Sequence, residues 1–249
     1  MKVVYHQRFT KVYARDPAAA AGRMESIRRE LGGRFQFVQP KPAEIEDLKL
    51  VHSDLHIRGI QRMGLTYDIA LLAAGGAIRA AELAVSGEPA FGLIRPPGHH
   101  ASRDHCWGFC FFNNMAISIA KLKEEGKIRT ALVLDIDLHF GDGTANIFRD
   151  IPEVIYFHPQ ADERGRFIDS IAQFLSQHEA EVVAVSAGFD RHEADWGRML
   201  TTEDYCTIGE LVKEFAQRVC QGKRYGVLEG GYNHQVLGRN VEALLNGMA

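Results

Sequence analysis

Charge of one sign, cysteine pairs and long apolar runs are all scarce in this chain. Lys and Arg number 29 against 32 Asp and Glu, for a formal net charge of -3. Such a balance excludes a polyanion-binding surface built on bulk charge, so direct nucleic-acid binding is not expected. No stretch of 18 apolar residues occurs, and Met1 to Arg8 contains no apolar signal region. Neither a membrane span nor a secretory leader is therefore expected, and the expected location is the cytoplasm. Four cysteines, Cys106, Cys110, Cys206 and Cys220, show neither the CxxC pairs of a zinc ribbon nor the density of a disulfide scaffold, and they read as reduced thiols. Internal repeats, low-complexity tracts and dividing linkers are also missing, which leaves one domain over residues 1–249 as the expected organisation.

What is present is alternation. Short apolar runs, at Ala90 to Ile94, Thr130 to Asp135, Val154 to Phe157, Val182 to Ser186 and Tyr225 to Leu228, are separated by longer stretches that are polar on one side. Those stretches, Ile69 to Ser86, Asn113 to Glu125, Phe167 to His178, Thr202 to Val219 and His234 to Asn246, have the length of crossover helices. The pattern predicts an α/β fold, a multi-stranded parallel sheet flanked by helices on both faces. Pro40 to Pro42 and Arg58 to Tyr67 read as surface connections.

In such a sheet ligands bind beyond the carboxyl ends of the strands, where loops converge and helix N-termini point. Four of the predicted strands release polar residues of catalytic type at that edge. One is followed by Arg95-Pro96-Pro97-Gly98-His99-His100, a second ends in Asp135-x-Asp137-x-His139, a third leads to Asp190, and a fourth leads to Glu229-Gly230-Gly231-Tyr232. Residues two apart in an extended chain share a face, so Asp137 and His139 can grip one cation together. With Asp190 they make two carboxylates and one imidazole, which leaves coordination positions open as a catalytic zinc site requires. Two anionic ligands acidify a water less than three imidazoles do, so a base is needed nearby. His99 and His100 meet that need, and Asp135 and Asp142 are the carboxylates available to orient their rings. Tyr232, carried on a Gly-Gly turn, is placed to donate its hydroxyl to a developing oxyanion. Each of these residues has a duller reading as a cap, turn or core group; their joint placement at strand ends is what argues for chemistry.

The blocks RPPGHHA, GFCFFNN, LDIDLHFGDGT, SAGFD and LEGGYN resemble, in order, the signature blocks of histone deacetylases, and the likeness is greatest to the class II-like branch and the acetylpolyamine amidohydrolases. The resemblance spans roughly Tyr5 to Gly238 and implies the arginase/deacetylase fold. It implies Zn²⁺, with Fe²⁺ an alternative at oxygen and nitrogen ligands, held by Asp137, His139 and Asp190. It also implies Asp135 behind His99, Asp142 behind His100, and acid-base work at His100. Tyr232 would polarise an acetyl carbonyl, and Phe109 beside Gly108 would wall a narrow tunnel, with Gly230 among the residues that contact substrate. The implied substrate is acetyl-lysine or a small acetylated amine. Arg23 resembles a buried arginine of the family.

Three departures qualify this. Phe140 stands where the family usually has a second histidine. His158 stands where a serine often helps to hold a structural K⁺, which leaves the backbone carbonyls of Asp135, Asp137 and His139 as its ligands. Only about thirty residues separate His158 from Asp190, so the glycine-rich segment that supplies the opposite tunnel wall in larger relatives is missing, and a more open site is expected. The competing expectations are a catalytically silent domain that binds acetylated ligands and an arginase-type ureohydrolase with two metals.

Overall fold

The computed structural model describes all 249 residues. Its seven strands are β1 (Lys2–Val4), β2 (Gln36–Val38), β3 (Ala90–Gly92), β4 (Ala131–Asp135), β5 (Val154–Phe157), β6 (Val183–Ala187) and β7 (Arg224–Leu228). They form one sheet in the order β2-β1-β3-β7-β6-β4-β5, with every neighbouring pair parallel. All residues of β3, β4, β6 and β7 are buried, as their near-continuous apolar sequences require of strands covered on both faces. The edge strand β2 is the most open.

Nine α-helices connect the strands: α1 (Arg23–Leu31), α2 (Ile45–Lys49), α3 (Asp54–Gln61), α4 (Leu65–Val85), α5 (Asn114–Glu124), α6 (Asp142–Phe148), α7 (Arg164–Gln177), α8 (Thr202–Val219) and α9 (Leu237–Met248). They fall into two groups that do not mix. The first joins α4 to α5 and α5 to α6, the second joins α1, α7, α8 and α9, and both α4 and α8 pack on β7, so the groups cover opposite faces of the sheet. The alanine-rich side of α4, including Ala73, Ala77, Ala80 and Ala84, is wholly buried and lets this long helix lie close to β1, β3 and β7. A capping box starts α8, with Thr201 as the cap and Asp204 as its reciprocal partner.

Two expectations need correction. The stretch Arg58 to Tyr67 is not simply a connection: it spans the end of α3 and the start of α4, which begins four residues before the predicted Ile69. The N-terminal strands β1 and β2, three residues each, carry too little sequence for any period to show. No helix is long and apolar enough to cross a membrane.

Candidate active site

The loops that follow β3, β4, β6 and β7 carry the candidate residues, and these four strands are consecutive in the sheet. The chain meets them in the order β3, β4, β6, β7, with β5 sent to the outer edge, so only the folded sheet makes their chemistry adjacent. Two asparagines at the start of α5 clamp the histidine loop. Asn114 Nδ2 donates to the Pro96 carbonyl at 3.0 Å, and Asn113 Nδ2 donates to the Ala101 carbonyl at 2.9 Å while its Oδ1 caps the helix at Ala116 N–H. Arg95, fully buried, binds the carbonyls of Phe9, Lys11, Ala18 and Ala20 and so ties the N-terminal segment to the same loop.

Asp137, His139 and Asp190 present ligand atoms that all lie within 4.8 Å of one another. His139 Nδ1 is 3.2 Å from Asp137 Oδ1 and 3.2 Å from Asp190 Oδ2. Backbone donors orient the carboxylates: Gly230 N–H donates to Asp137 Oδ2 at 2.8 Å and Leu138 N–H to Asp190 Oδ1 at 3.0 Å. Asp190 Oδ2 is buried and has no hydrogen-bond partner, since its approach to His139 lacks the alignment of a hydrogen bond. A buried carboxylate oxygen left free costs several kcal/mol unless a cation uses it, and the donor set, two carboxylates and one imidazole, suits a divalent metal. The charge balance agrees. Burial, reinforced by Asp137, raises the Asp190 carboxyl, and the hydrogen bond to Asp137 together with the close Asp190 carboxylate draws the His139 ring up to about 10. The trio thus demands positive charge, as a proton or as an ion.

Two imidazole-carboxylate pairs stand beside the trio. His99 Nδ1 is 3.1 Å from Asp135 Oδ2, which also accepts the Tyr156 hydroxyl at 2.8 Å. His100 Nδ1 is 2.6 Å from Asp142 Oδ1. Their environments push them apart. For His99, burial is outweighed by the charges of Asp137 and Asp135, and its pKa is raised well above the usual imidazole value. For His100, burial and then the neighbouring His99 lower it to about 4, so the ring is neutral near pH 7 and its Nε2 is free to take a proton.

Tyr232 shares a cavity of about 110 Å³ with Pro97, His99, His100, Trp107, Gly108, Phe109, His139, Trp196 and Gly230. Burial and the charges of Asp137 and Asp190 push its phenol above the ordinary value, so it is held as a hydrogen-bond donor. Asp195 fixes its loop by accepting the N–H groups of Tyr232 and Asn233 at 2.8 and 2.7 Å. Arg23, fully buried, binds the carbonyls of Glu229 and Gly231 from below. Gly230 has a sharper reason than substrate contact: a Cβ there would sit 2.6 Å from Asp137 Oδ2 and 2.8 Å from Asp190 Oδ2. Gly108, at a φ of +58°, would drive a Cβ into the His100 ring.

Several residues of this site were not singled out from the sequence. Trp107 and Trp196, 51% and 49% exposed, flank the cavity mouth. Trp107 stacks on His100 with ring centroids 3.9 Å apart, and its indole N–H donates to Asp142 Oδ2 at 2.9 Å. Trp196 stacks on Tyr232 with ring centroids 4.1 Å apart. Glu229, buried, accepts the N–H groups of Gly98 and His99, and burial pushes its carboxyl up to about 7. Glu229 is in the LEGGYN block, so a buried acid after a strand was the available signal. Asp68 pairs with Arg8 on the surface and is not among the cavity residues. The expected K⁺ does not fit: the Asp137 carbonyl, one of its expected ligands, faces the donors of Arg191 and His158.

The chain is similar to known proteins over most of its length. The histone deacetylase domain model matches residues 16–167 and 160–248. A probable deacetylase of Methanothermobacter thermautotrophicus is 32% identical over 86% of this chain and 79% of its own length. The acetylpolyamine amidohydrolase of Mycoplana ramosa is 31% identical over 74% of this chain and 64% of its own. The solved structure of an HDA15 HD domain matches in fold, with a TM-score of 0.84 at 23% identity over 98% of this chain and 88% of that one. On the extent of these matches, this chain belongs to the histone deacetylase family.

Proposed function

We propose that the chain is a zinc-dependent amide hydrolase that removes acetyl from acetyl-lysine or a small acetylated amine. The observation that carries this reading is the buried, unpartnered Asp190 Oδ2 beside Asp137 and His139, with His139 lining a cavity shared with a neutral His100 and a protonated Tyr232. Asp137, His139 and Asp190 would hold the ion, which when bound supplies Lewis acidity to an amide carbonyl and to water. His100 Nε2 takes the proton of the attacking water and returns it to the leaving amine, while Asp142 keeps Nδ1 of the same ring protonated. His99, on its Asp135 partner, contributes mainly positive charge beside the reacting centre. Tyr232 donates its hydroxyl to the acetyl oxygen as negative charge develops there. Phe109, edge-on to Tyr232 at 5.9 Å, and the two tryptophans exclude water around the acyl-amine chain.

The test is turnover by metal-stripped protein reconstituted with Zn²⁺ or Fe²⁺, on a panel of acetyl-lysine peptides, acetylated polyamines and simple acetamides. One ion per chain and acetate release that tracks metal loading are expected. Two ions per chain with urea release would favour the ureohydrolase reading. Acetyl-ligand binding with no hydrolysis under any metal would favour a silent binding domain.

A further inference from the structure

Arg191 directly follows the candidate ligand Asp190 and is only 6% exposed. A guanidinium stays charged at any ordinary pH, and burying it is costly unless oxygens and charge compensate. No ion pair to a carboxylate does so. Its Nε donates to the Asp137 carbonyl at 3.0 Å, and its Nη2 reaches the carbonyls of Leu138 and Pro159, each at 3.4 Å. His158 Nε2 lies 2.9 Å from the same Asp137 oxygen and 3.1 Å from Nη2. One ring nitrogen either donates or accepts, so it serves only one of these contacts. The Phe167 ring covers the guanidinium carbon at 4.7 Å. Backbone carbonyls converging on a buried positive centre, under a field set by Asp137, Asp190 and Asp135, are what a monovalent metal ion would use. Here the Asp137 carbonyl already accepts the Arg191 Nε–H, with the His158 ring edge packed against its other side.

We propose that the Arg191 guanidinium is a built-in monovalent cation, seated with His158 against the 137–139 turn, that holds Asp137 and His139 in ligating position without potassium or sodium. The same loop that brings the third ligand brings the cation, so ligand set and counter-charge are delivered together. The inference rests on reading Asp137, His139 and Asp190 as the metal ligands. It makes Arg191 a positioning residue, acting through the turn and not on substrate.

The test titrates KCl against tetramethylammonium chloride at constant ionic strength, with chelator-competition Zn²⁺ affinity and melting temperature as readouts beside turnover. Wild-type protein is expected to be flat, within about twofold in affinity, from zero to ~100 mM K⁺. Arg191→Ala is expected to lose about tenfold or more in Zn²⁺ affinity without K⁺ and to regain it saturably as K⁺ enters among the freed carbonyls. Arg191→Lys should keep part of the affinity and stay flat in K⁺, which keeps the test decisive if the Ala variant does not fold. A saturable K⁺ gain by wild type, a K⁺-responsive Arg191→Lys, or an Arg191→Ala of wild-type affinity without K⁺ would each overturn the proposal. Wild type that binds no Zn²⁺ at any K⁺ concentration sinks the zinc reading instead, and a K⁺-dependent melting temperature in that protein would still overturn the role of Arg191.

Discussion

The floor of the cavity and its mouth are built on opposite principles. At the floor, Asp135, Asp137 and Asp190 are at most 1% exposed, and backbone N–H groups, the Tyr156 hydroxyl and the His99 ring account for their carboxylate oxygens, save one. At the mouth, Trp107 and Trp196 are about half exposed and are held mostly by stacking on His100 and Tyr232. A buried polar network tolerates little change, because any lost partner strands a charge where water cannot reach it. An exposed aromatic rim can vary in shape at small cost in stability. On the proposed function, the contrast assigns the chemistry to the wired floor and the choice of amine to the rim.

Four substitutions would break or sharpen that contrast, in descending order of effect. Asp190→Asn, which removes the unpartnered oxygen's charge, is expected to lower kcat/KM by at least about a thousandfold and to weaken Zn²⁺ binding in chelator competition; near-normal turnover would detach function from the floor. Tyr232→Phe is expected to lower kcat by about a hundredfold or more with little change in KM, the mark of a bond made chiefly in the transition state. Steady-state kinetics on one acetylated substrate would show it. Trp107→Phe keeps the stacking but deletes the indole N–H to Asp142, and a loss of about three- to tenfold in kcat is expected. In the proposed mechanism His100 works as a neutral base, so activity is expected to fall as pH drops through its pKa of about 4. An Asp142 relieved of the indole bond pulls harder on the His100 proton, so that acid limb should move to higher pH in the variant's pH-rate profile. Trp196→Ala is expected to change KM by about two- to fivefold, unequally across peptide and polyamine substrates, with kcat for a simple acetamide nearly unchanged. An equal loss on every substrate would place Trp196 with the floor.

Much of the floor was legible because its signals are local. Asp135, Asp137 and His139 lie within five residues, so their association needed no long-range contact although the strand ends at Asp135 and the chain bends at 137–139. The runs that became β4, β6 and β7 are near-continuously apolar, so each strand and its polar exit could be read separately. The rim was not legible. An exposed tryptophan in a loop, such as Trp107 or Trp196, has no period to betray it, and the Tyr232 ring on which Trp196 stacks lies in a distant segment. The start of α4 was misjudged because its first turn, Leu65 to Asp68, is largely exposed and lacks the apolar stripe that marks the rest.

The sequence by itself determined the residue types and their order: two aspartates and a histidine for one ion, two histidines with carboxylates to orient them, and a phenol on a glycine turn. Only the tertiary structure decided that β7 enters between β3 and β6, so that four exits become neighbours, and that Arg191 turns back to the Asp137 carbonyl. The physical reason is range: spacing along an extended strand is a property of a few covalently linked residues, whereas strand order and the placement of a buried guanidinium depend on how the whole sheet and its helices pack.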